Sequence, residues 1–307
     1  EWHDADRIDG RHIVIADIAA DQVFMVDTET GLLEWTWDAQ HDFPVEGGGS
    51  YPGNWVHLND VEVLDDGRVM ASLRNQDQVV FIDPETGLVD DWTLGAEDEY
   101  AILNEQHNPD YIPEARGGPA VVVADSENGR VQEFQRDDGA WDRTWTWSDD
   151  RMQWPRDADR LPGGTTLITD TGGERVLEVN QRGEVVWQLE VPHPYDAERL
   201  ETGDESAGGR SAAALGLASQ TSDADGDGRE TVDLGRLEPI VDRIRTLVPS
   251  HVVTFVVQSS PSWTSPSDLG PILVGLTTTL VWGSAELGWF LRARGIGLRL
   301  PVYRREQ

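Results

Sequence analysis

Three histidines and an arginine stand at matching places in a repeated sequence pattern. His57 and His107 each lie three residues before an aspartate that recurs along the chain. His3 and Arg156 each lie one residue before the same aspartate. Because residues two apart on a β-strand face the same side, this register predicts that three imidazoles and one guanidinium converge. Arg74, in the segment "SLRNQDQ", is a fifth candidate for the same place.

These side chains favour the transfer of an anionic group. A histidine can act as a nucleophile that accepts the transferred group on nitrogen while a neighbour handles a proton. Arginine binds a tetrahedral oxyanion such as sulfate or phosphate through paired hydrogen bonds. Three neutral imidazoles could also bind a divalent metal, but the adjacent arginines oppose a cation, so no metal site is predicted. The chain has no cysteine, which excludes disulfides, thiolate catalysis and cysteine metal sites.

Four repeats of short apolar strands must position these residues. The recurring aspartates are Asp4, Asp60, Asp110 and Asp157, at spacings of 56, 50 and 47 residues. Each repeat alternates apolar and polar residues between glycine-containing turns, a pattern typical of antiparallel strands. Repeats of this length predict an all-β fold, a β-propeller with four visible blades of about 50 residues each. The first strand of each blade would line the central channel, and the aspartates are predicted to be structural.

Four blades are expected to form part of a six-bladed ring, with N-terminal blades and an export signal preceding residue 1 of this sequence. Residues 269–291 contain 23 residues with Glu286 as their only charge, long enough to cross a bilayer. The arginines that follow predict a cytoplasmic C-terminus and a propeller on the extracellular face. A buried amphipathic helix is the alternative for this stretch. The predicted segments are 1–200 (propeller), 201–235 (acidic Gly/Ser-rich loop), 236–266 (amphipathic helix and connector), 268–292 (transmembrane helix) and 293–307 (Arg-rich tail).

The charge of the chain is strongly one-sided. It has 57 acidic residues against 24 basic ones, all of them arginine, and a formal net charge of −33. Such charge opposes compactness through self-repulsion, but in molar salt the Debye length falls to about 3 Å and the repulsion is screened. The composition therefore predicts a halophilic organism. It also excludes nucleic acid as a partner, because no basic patch is present to meet phosphates.

Several segments together resemble the arylsulfotransferase family, specifically its membrane-attached haloarchaeal branch. They are "HDADRI", "HLNDVEVLDDGRV", "RNQDQVVFID", "QHNPDYIPE" and "WPRDADRLPGGTTLITD", and the resemblance covers roughly residues 2–190. It implies a six-bladed propeller enzyme that moves a sulfuryl group from an aryl sulfate to a phenol. It also implies a covalent sulfo-histidine, with no nucleotide sulfate donor, no metal and no other cofactor.

The resemblance also implies roles for individual residues. By analogy, His107 is the nucleophile, His57 and Arg74 form the stabilising pair, and His3 is a further channel histidine. Arg156 has no counterpart in the resemblance, and its role as an oxyanion clamp is inferred from charge alone. The remaining histidines, at positions 12, 41, 193 and 251, lie outside the register and are interpreted as structural.

Two other functions remain open from the sequence. A non-catalytic cell-surface propeller would bind an anionic ligand or a partner protein without covalent modification of a histidine. A metal-dependent propeller lyase or hydrolase would need a bound divalent ion, against which Arg74 and Arg156 argue.

Overall fold

The computed structural model describes residues 2–52, 54–200, 206 and 208–221, and most regular structure in them is β-strand. The strands form four antiparallel sheets, each a meander of neighbouring strands. The first sheet holds β1 (Trp2–Arg7), β2 (His12–Asp17), β3 (Gln22–Asp27) and β4 (Leu32–Asp38). The second holds β5 (Leu58–Val63), β6 (Val69–Leu73), β7 (Gln78–Asp83), β8 (Gly87–Leu88) and β9 (Leu94–Gly95), with both short strands on β7.

The other two sheets have the same simple order. The third holds β10 (His107–Ile112), β11 (Ala120–Asp125), β12 (Arg130–Asp137) and β13 (Ala140–Trp147). The fourth holds β14 (Pro155–Arg160), β15 (Thr166–Asp170), β16 (Arg175–Val179) and β17 (Val185–Glu190). The all-β prediction is confirmed, with one sheet for each predicted repeat.

The first strands of successive sheets lie side by side. Strand β1 contacts β5, β5 contacts β10, and β10 contacts β14, which is how propeller blades are arranged around their axis. We therefore call the sheets blades 1 to 4. In every blade the recurring aspartate pairs with the residue twelve positions later: Asp4 with Ala16, Asp60 with Ser72, Asp110 with Val122, and Asp157 with Thr169. The repeats are thus equivalent in structure as well as in sequence.

Apolar residues on both faces of the central blades hold neighbouring blades together. On β7, Val79 and Phe81 pack toward blade 3, whereas Val80 and Ile82 pack toward blade 1. This is the two-residue periodicity of a strand buried on both faces. A third cluster between blades 3 and 4 includes Trp147. The runs of valine and isoleucine seen in the sequence therefore form the interfaces between blades.

Acidic side chains join the first strands of adjacent blades. The Asp4 carboxylate accepts a hydrogen bond from the Val61 N–H at 2.9 Å, and Asp6 accepts one from the Val63 N–H at 2.8 Å. Glu62 in turn accepts one from the Tyr111 N–H at 2.7 Å. Because these carboxylates satisfy backbone donors of the next blade, their role in the fold is structural.

Part of the segment predicted as an acidic loop packs on the blades. A short helix, α1 (Ala212–Leu215), is capped by the Ser211 side chain, and Ala212 is buried. Gln220 forms a parallel bridge to Trp147 at the edge of β13. Small residues in a Gly/Ser-rich stretch allow this close packing, which composition alone does not distinguish from a solvated loop.

No helix among residues 2–52, 54–200, 206 and 208–221 is long and apolar enough to cross a membrane. The segments predicted as an amphipathic helix (236–266), a transmembrane helix (268–292) and an Arg-rich tail (293–307) lie outside the described residues.

Candidate functional site

The start of each first strand is irregular, and this irregularity orients the predicted site residues. The pairing register shifts between Trp2 and Asp4 in β1 and between Pro155 and Asp157 in β14, so His3 and Arg156 each occupy a bulge. Bulges change the direction of a side chain relative to the sheet. His57 enters its strand with a left-handed φ of 51°, a conformation that is uncommon outside glycine.

The structure brings the predicted histidines together where the first strands of the blades begin. The rings of His3 and His57 lie 5.8 Å apart between centroids. Tyr195 lies between His3 and His107. The centroid of its ring is 5.7 Å from that of His3 and 6.3 Å from that of His107. Arg74 and Arg156 lie close enough for their charges to act on His57 and His107. We call the five predicted residues the His/Arg cluster: His3, His57, Arg74, His107 and Arg156.

His107 is buried, and its hydrogen bonds define which ring nitrogen is available. Nδ1 lies 2.8 Å from the Ser126 hydroxyl and 3.2 Å from the Glu105 carbonyl oxygen. The Ser126 hydroxyl donates its single hydrogen to the Pro155 carbonyl at 2.7 Å, so it accepts from His107. Nδ1 therefore carries the proton, and Nε2 keeps its lone pair.

Burial and nearby arginines keep the imidazoles neutral. Burial, followed by the charges of Arg74 and Arg156, lowers the pKa of His107 well below its usual value. Burial, followed by Arg74, His3 and Arg156, lowers the pKa of His57 to about 3. His57 Nδ1 lies 2.6 Å from Asn54 Oδ1, to which it donates, so Nε2 of His57 is also unprotonated. Two neutral imidazoles thus face two guanidinium groups.

Arg74 is held by a carboxylate from the next blade. It opens the 3₁₀ helix Arg74–Gln76 directly after β6 and is almost completely buried. Its guanidinium forms an ion pair with Glu105 and donates to Asn75 Oδ1 at 3.3 Å. The pair with Glu105 offsets part of the charge of Arg74, so this residue alone does not make the site strongly attractive to anions.

Arg156 is stacked between aromatic rings. Its guanidinium carbon lies 4.2 Å from the centroid of the Trp154 ring and 4.4 Å from that of Tyr195, a cation–π geometry. Within the described part of the chain, Arg156 has no carboxylate at salt-bridge distance, and its Nε is buried without an acceptor. The positive charge of Arg156 therefore has no paired carboxylate there to offset it, unlike that of Arg74.

Carboxyl groups of the recurring aspartates lie in the same first strands as the cluster. Burial, then the neighbouring Asp159, raises the pKa of Asp110 well above its usual value. Burial and the neighbouring Asp196 do the same for Asp157. Because a raised pKa favours the neutral form of a carboxyl group, these two aspartates oppose the charge of Arg156 less than ionised ones would.

Sequence reasoning missed Tyr195 and Trp154. The Tyr195 hydroxyl lies 3.2 Å from His3 Nε2, and the buried Nε1 of Trp154 has no acceptor among the residues described. A signal for Tyr195 existed, because "HPYDAERL" at 193–200 repeats "WPRDADRL" at 154–161. His193 lies three residues before Asp196, as His57 lies three before Asp60, so the prediction that it lies outside the register is wrong. Its side chain is nonetheless mostly exposed beside Glu174, outside the cluster.

A group of possible metal ligands lies elsewhere, on blade 1. In the described ranges, the donor atoms of His12, Asp27 and Glu34 lie within reach of a single ion. Asp27 is already paired with Arg11, and His12 contacts Asp9 through Nδ1 and Glu34 through Nε2. None of the cluster histidines belongs to this group.

A family model described as arylsulfotransferase (ASST) matches residues 14–107 of the chain. The match includes His57, Arg74 and His107 and ends before Arg156. It supports a relationship with that family over this stretch of the chain. No curated protein sequence matches the chain.

Several solved structures show low similarity to the chain. A streptogramin B lyase has 8% identity and a TM-score of 0.45, with 64% of this chain and 56% of that chain covered. Virginiamycin B lyase from Staphylococcus aureus has 10% identity and a TM-score of 0.44, with 64% and 57% covered. A periplasmic gluconolactonase from Pseudomonas aeruginosa has 16% identity and a TM-score of 0.44, with 64% and 56% covered. The chain thus spans little more than half of each, and at these values the neighbours say nothing about its reaction.

Proposed function

We propose that the His/Arg cluster transfers a sulfuryl group from an aryl sulfate to a phenolic acceptor through a covalent intermediate on His107. The observation that carries the proposal is the state of His107 beside Arg156. A buried neutral imidazole presents its unprotonated Nε2 in a site that also holds a guanidinium with no carboxylate partner in the described residues. That combination suits nucleophilic attack on a group that carries negative charge.

In the first half of the proposed reaction, the Nε2 lone pair of His107 attacks sulfur. The N–S bond forms as the bond between sulfur and the aryl oxygen breaks, and the electron pair leaves with the phenolate. The imidazole then carries the SO3 group on Nε2 while Nδ1–H stays bonded to Ser126. In the second half, an acceptor phenol loses its proton to water, which balances the proton that the released phenolate takes from water. The acceptor oxygen then attacks sulfur as the N–S bond breaks, and its electron pair returns to Nε2 of His107.

The arginines have unequal parts in this proposal. Arg156 binds the sulfuryl oxygens, since its charge is not offset by a carboxylate in the described region and its Nε lacks an acceptor. Trp154 Nε1 is a second buried donor that an anion beside Arg156 could satisfy. Arg74 stabilises the transferred group, as the resemblance implies, with Glu105 holding Arg74 in place. The resemblance pairs His57 with Arg74, but the unprotonated Nε2 of His57 has no hydrogen to donate, so His57 does not bind the sulfuryl oxygens directly.

The family match supports the same reading at a coarser level, because it spans the three residues to which the resemblance assigns catalysis. The six-bladed ring and the haloarchaeal setting are part of the proposal. So is the anchor at residues 268–292, with the propeller on the extracellular face. We infer these from sequence only.

Intact-mass analysis in molar salt, after mixing with nitrophenyl sulfate, tests the covalent step. The protein is expected to gain one SO3 group transiently and to release nitrophenol. His107→Ala should abolish both the adduct and turnover, because it removes the nucleophile. His41→Ala, which changes an exposed histidine on blade 1, is the matched control and should behave like the unchanged protein.

An adduct that survives in His107→Ala would assign the nucleophile to another residue. Anion binding without any adduct or nitrophenol release would instead identify a non-catalytic binding propeller. Loss of activity on treatment with a chelator, restored by a divalent metal, would favour the metal-dependent alternative.

A further inference from the structure

Tyr195 occupies the position of His3 and Arg156 in a further copy of the repeat. The segment "HPYDAERL" matches "WPRDADRL" in its proline, aspartate, alanine, arginine and leucine. Tyr195 precedes Asp196 just as Arg156 precedes Asp157. The register that directs Arg156 into the cluster therefore applies to Tyr195 as well.

The backbone at this segment follows the same plan as the earlier repeats. His193 has a left-handed φ of 47°, compared with 54° for Trp154 at the equivalent position. The Ala197 N–H donates to the carboxyl group of Asp157, as the Val61 N–H donates to Asp4. Residues 193–199 therefore lie beside β14 and follow the backbone course seen where a first strand begins, without forming a regular strand.

The side chain of Tyr195 is placed by three cluster residues. Its hydroxyl oxygen lies 3.2 Å from His3 Nε2, and its ring lies against His3 and His107. The guanidinium of Arg156 stacks on the same ring. Burial raises the pKa of Tyr195 to about 12, so the hydroxyl keeps its proton throughout the neutral pH range.

We propose that the Tyr195 hydroxyl is the hydrogen-bond donor to the aryl oxygen of the substrate, an inference that rests on the proposed function. When His3 carries its proton on Nε2, the imidazole donates to the Tyr195 oxygen and leaves the hydroxyl hydrogen for the ligand. As the bond between sulfur and the aryl oxygen breaks, negative charge grows on that oxygen and the hydrogen bond strengthens. No proton leaves Tyr195. In the second half of the reaction, the same donor positions the oxygen of the acceptor phenol.

A purely structural role for Tyr195 predicts a different result. In that case its ring would only support Arg156 by stacking, and the hydroxyl would be dispensable. Tyr195→Phe separates the two roles because it keeps the ring and removes only the hydroxyl. Tyr111→Phe is the matched control, since Tyr111 is a partly buried tyrosine packed against Phe81, outside the cluster.

The test measures kcat/KM for a series of aryl sulfates whose phenols differ in acidity. Tyr195→Phe should lower kcat/KM by about 100-fold for the least acidic phenol, at the lower end of the loss caused by removing one transition-state donor. It should have little effect on nitrophenyl sulfate, whose phenolate leaves without help. The dependence of rate on phenol pKa should therefore become steeper, while Tyr111→Phe should match the unchanged protein. Near-ultraviolet circular dichroism verifies that both variants fold.

The outcomes separate this inference from the proposed function. An unchanged dependence on phenol pKa in Tyr195→Phe, or an equal loss for every phenol, would overturn the donor role and leave sulfuryl transfer intact. An unchanged protein that neither forms an adduct nor releases any phenol would overturn both.

Discussion

The two sides of the His/Arg cluster are built by different kinds of contact. We call His57, Arg74 and His107 the nucleophile side, and His3, Arg156 and Tyr195 the clamp side. On the nucleophile side, hydrogen bonds or an ion pair to Asn54, Glu105 and Ser126 hold each polar side chain. On the clamp side, stacked rings provide most of the support for Arg156.

The difference has a chemical consequence. A directional hydrogen bond at Nδ1 selects one tautomer and so prepares Nε2 for attack. Aromatic rings hold a stacked guanidinium by its flat faces. Its N–H groups point outward in the plane of the guanidinium, where they are available to a ligand. The contacts therefore suit the nucleophile side to bond formation and the clamp side to holding charge.

Apart from removal of the nucleophile itself, the largest effect is expected from loss of Arg156. Arg156→Gln should lower kcat/KM for aryl sulfates by about 10²- to 10³-fold, since it removes the charge that binds the sulfuryl oxygens in the proposed reaction. Arg156→Lys should recover only part of the loss, because an ammonium cannot bind two oxygens in a planar fork. Steady-state kinetics measures both.

The control for this change is Arg151→Gln, which alters an exposed arginine paired with Glu190. If it reduced kcat/KM as much as Arg156→Gln, the effect would reflect the overall charge of the protein rather than the clamp.

A smaller effect is expected from removing the hydrogen bond between Ser126 and Nδ1 of His107, which fixes the tautomer of His107. Ser126→Ala should lower kcat by about 10-fold, the lower end of the 10- to 100-fold loss seen when a metal-binding histidine loses the hydrogen bond that fixes its tautomer. Ser126→Thr keeps a hydroxyl and should restore part of the rate. The ¹⁵N chemical shifts of His107 should show a mixture of tautomers in Ser126→Ala only. A single unchanged tautomer would show that the Glu105 carbonyl suffices.

The smallest change in activity is expected when the pH of the assay is lowered. An ordinary histidine nucleophile loses activity below about pH 6.5 as it becomes protonated. Here the pKa values of His57 and His107 are lowered, so activity should stay nearly constant from about pH 8 to pH 5. In Arg156→Gln, one charge that lowers both pKa values is gone, and the acid limb should move to higher pH. A midpoint near the usual histidine value in the unchanged protein would contradict the proposed state of His107.

The same shifts affect stability in a defined direction. Because the folded pKa of His57 is lower than its unfolded value, the unfolded chain binds more protons as the pH falls below about 6.5. The contribution of His57 to the free energy of unfolding therefore decreases from that pH toward its folded pKa of about 3.

The strands and the register of the repeats were predictable from the sequence. Alternating apolar residues report which faces are buried, and recurring aspartates report equivalent places in successive blades. For that reason the approach of His3, His57 and His107 could be predicted without coordinates. Tyr195 was also accessible to this reasoning, but its spacing of 39 residues from Asp157 to Asp196 is shorter than the other spacings.

What the sequence by itself determined is the set of strands and the side of the blade on which each cluster residue begins, because both follow from local alternation. Only the tertiary structure decided how those residues are paired. Arg74 meets Glu105, His107 meets Ser126, and His3 meets Tyr195 across 192 residues of chain. Such contacts depend on how the blades pack against each other. That packing is the result of many weak apolar interactions, which cannot be deduced from a short sequence motif.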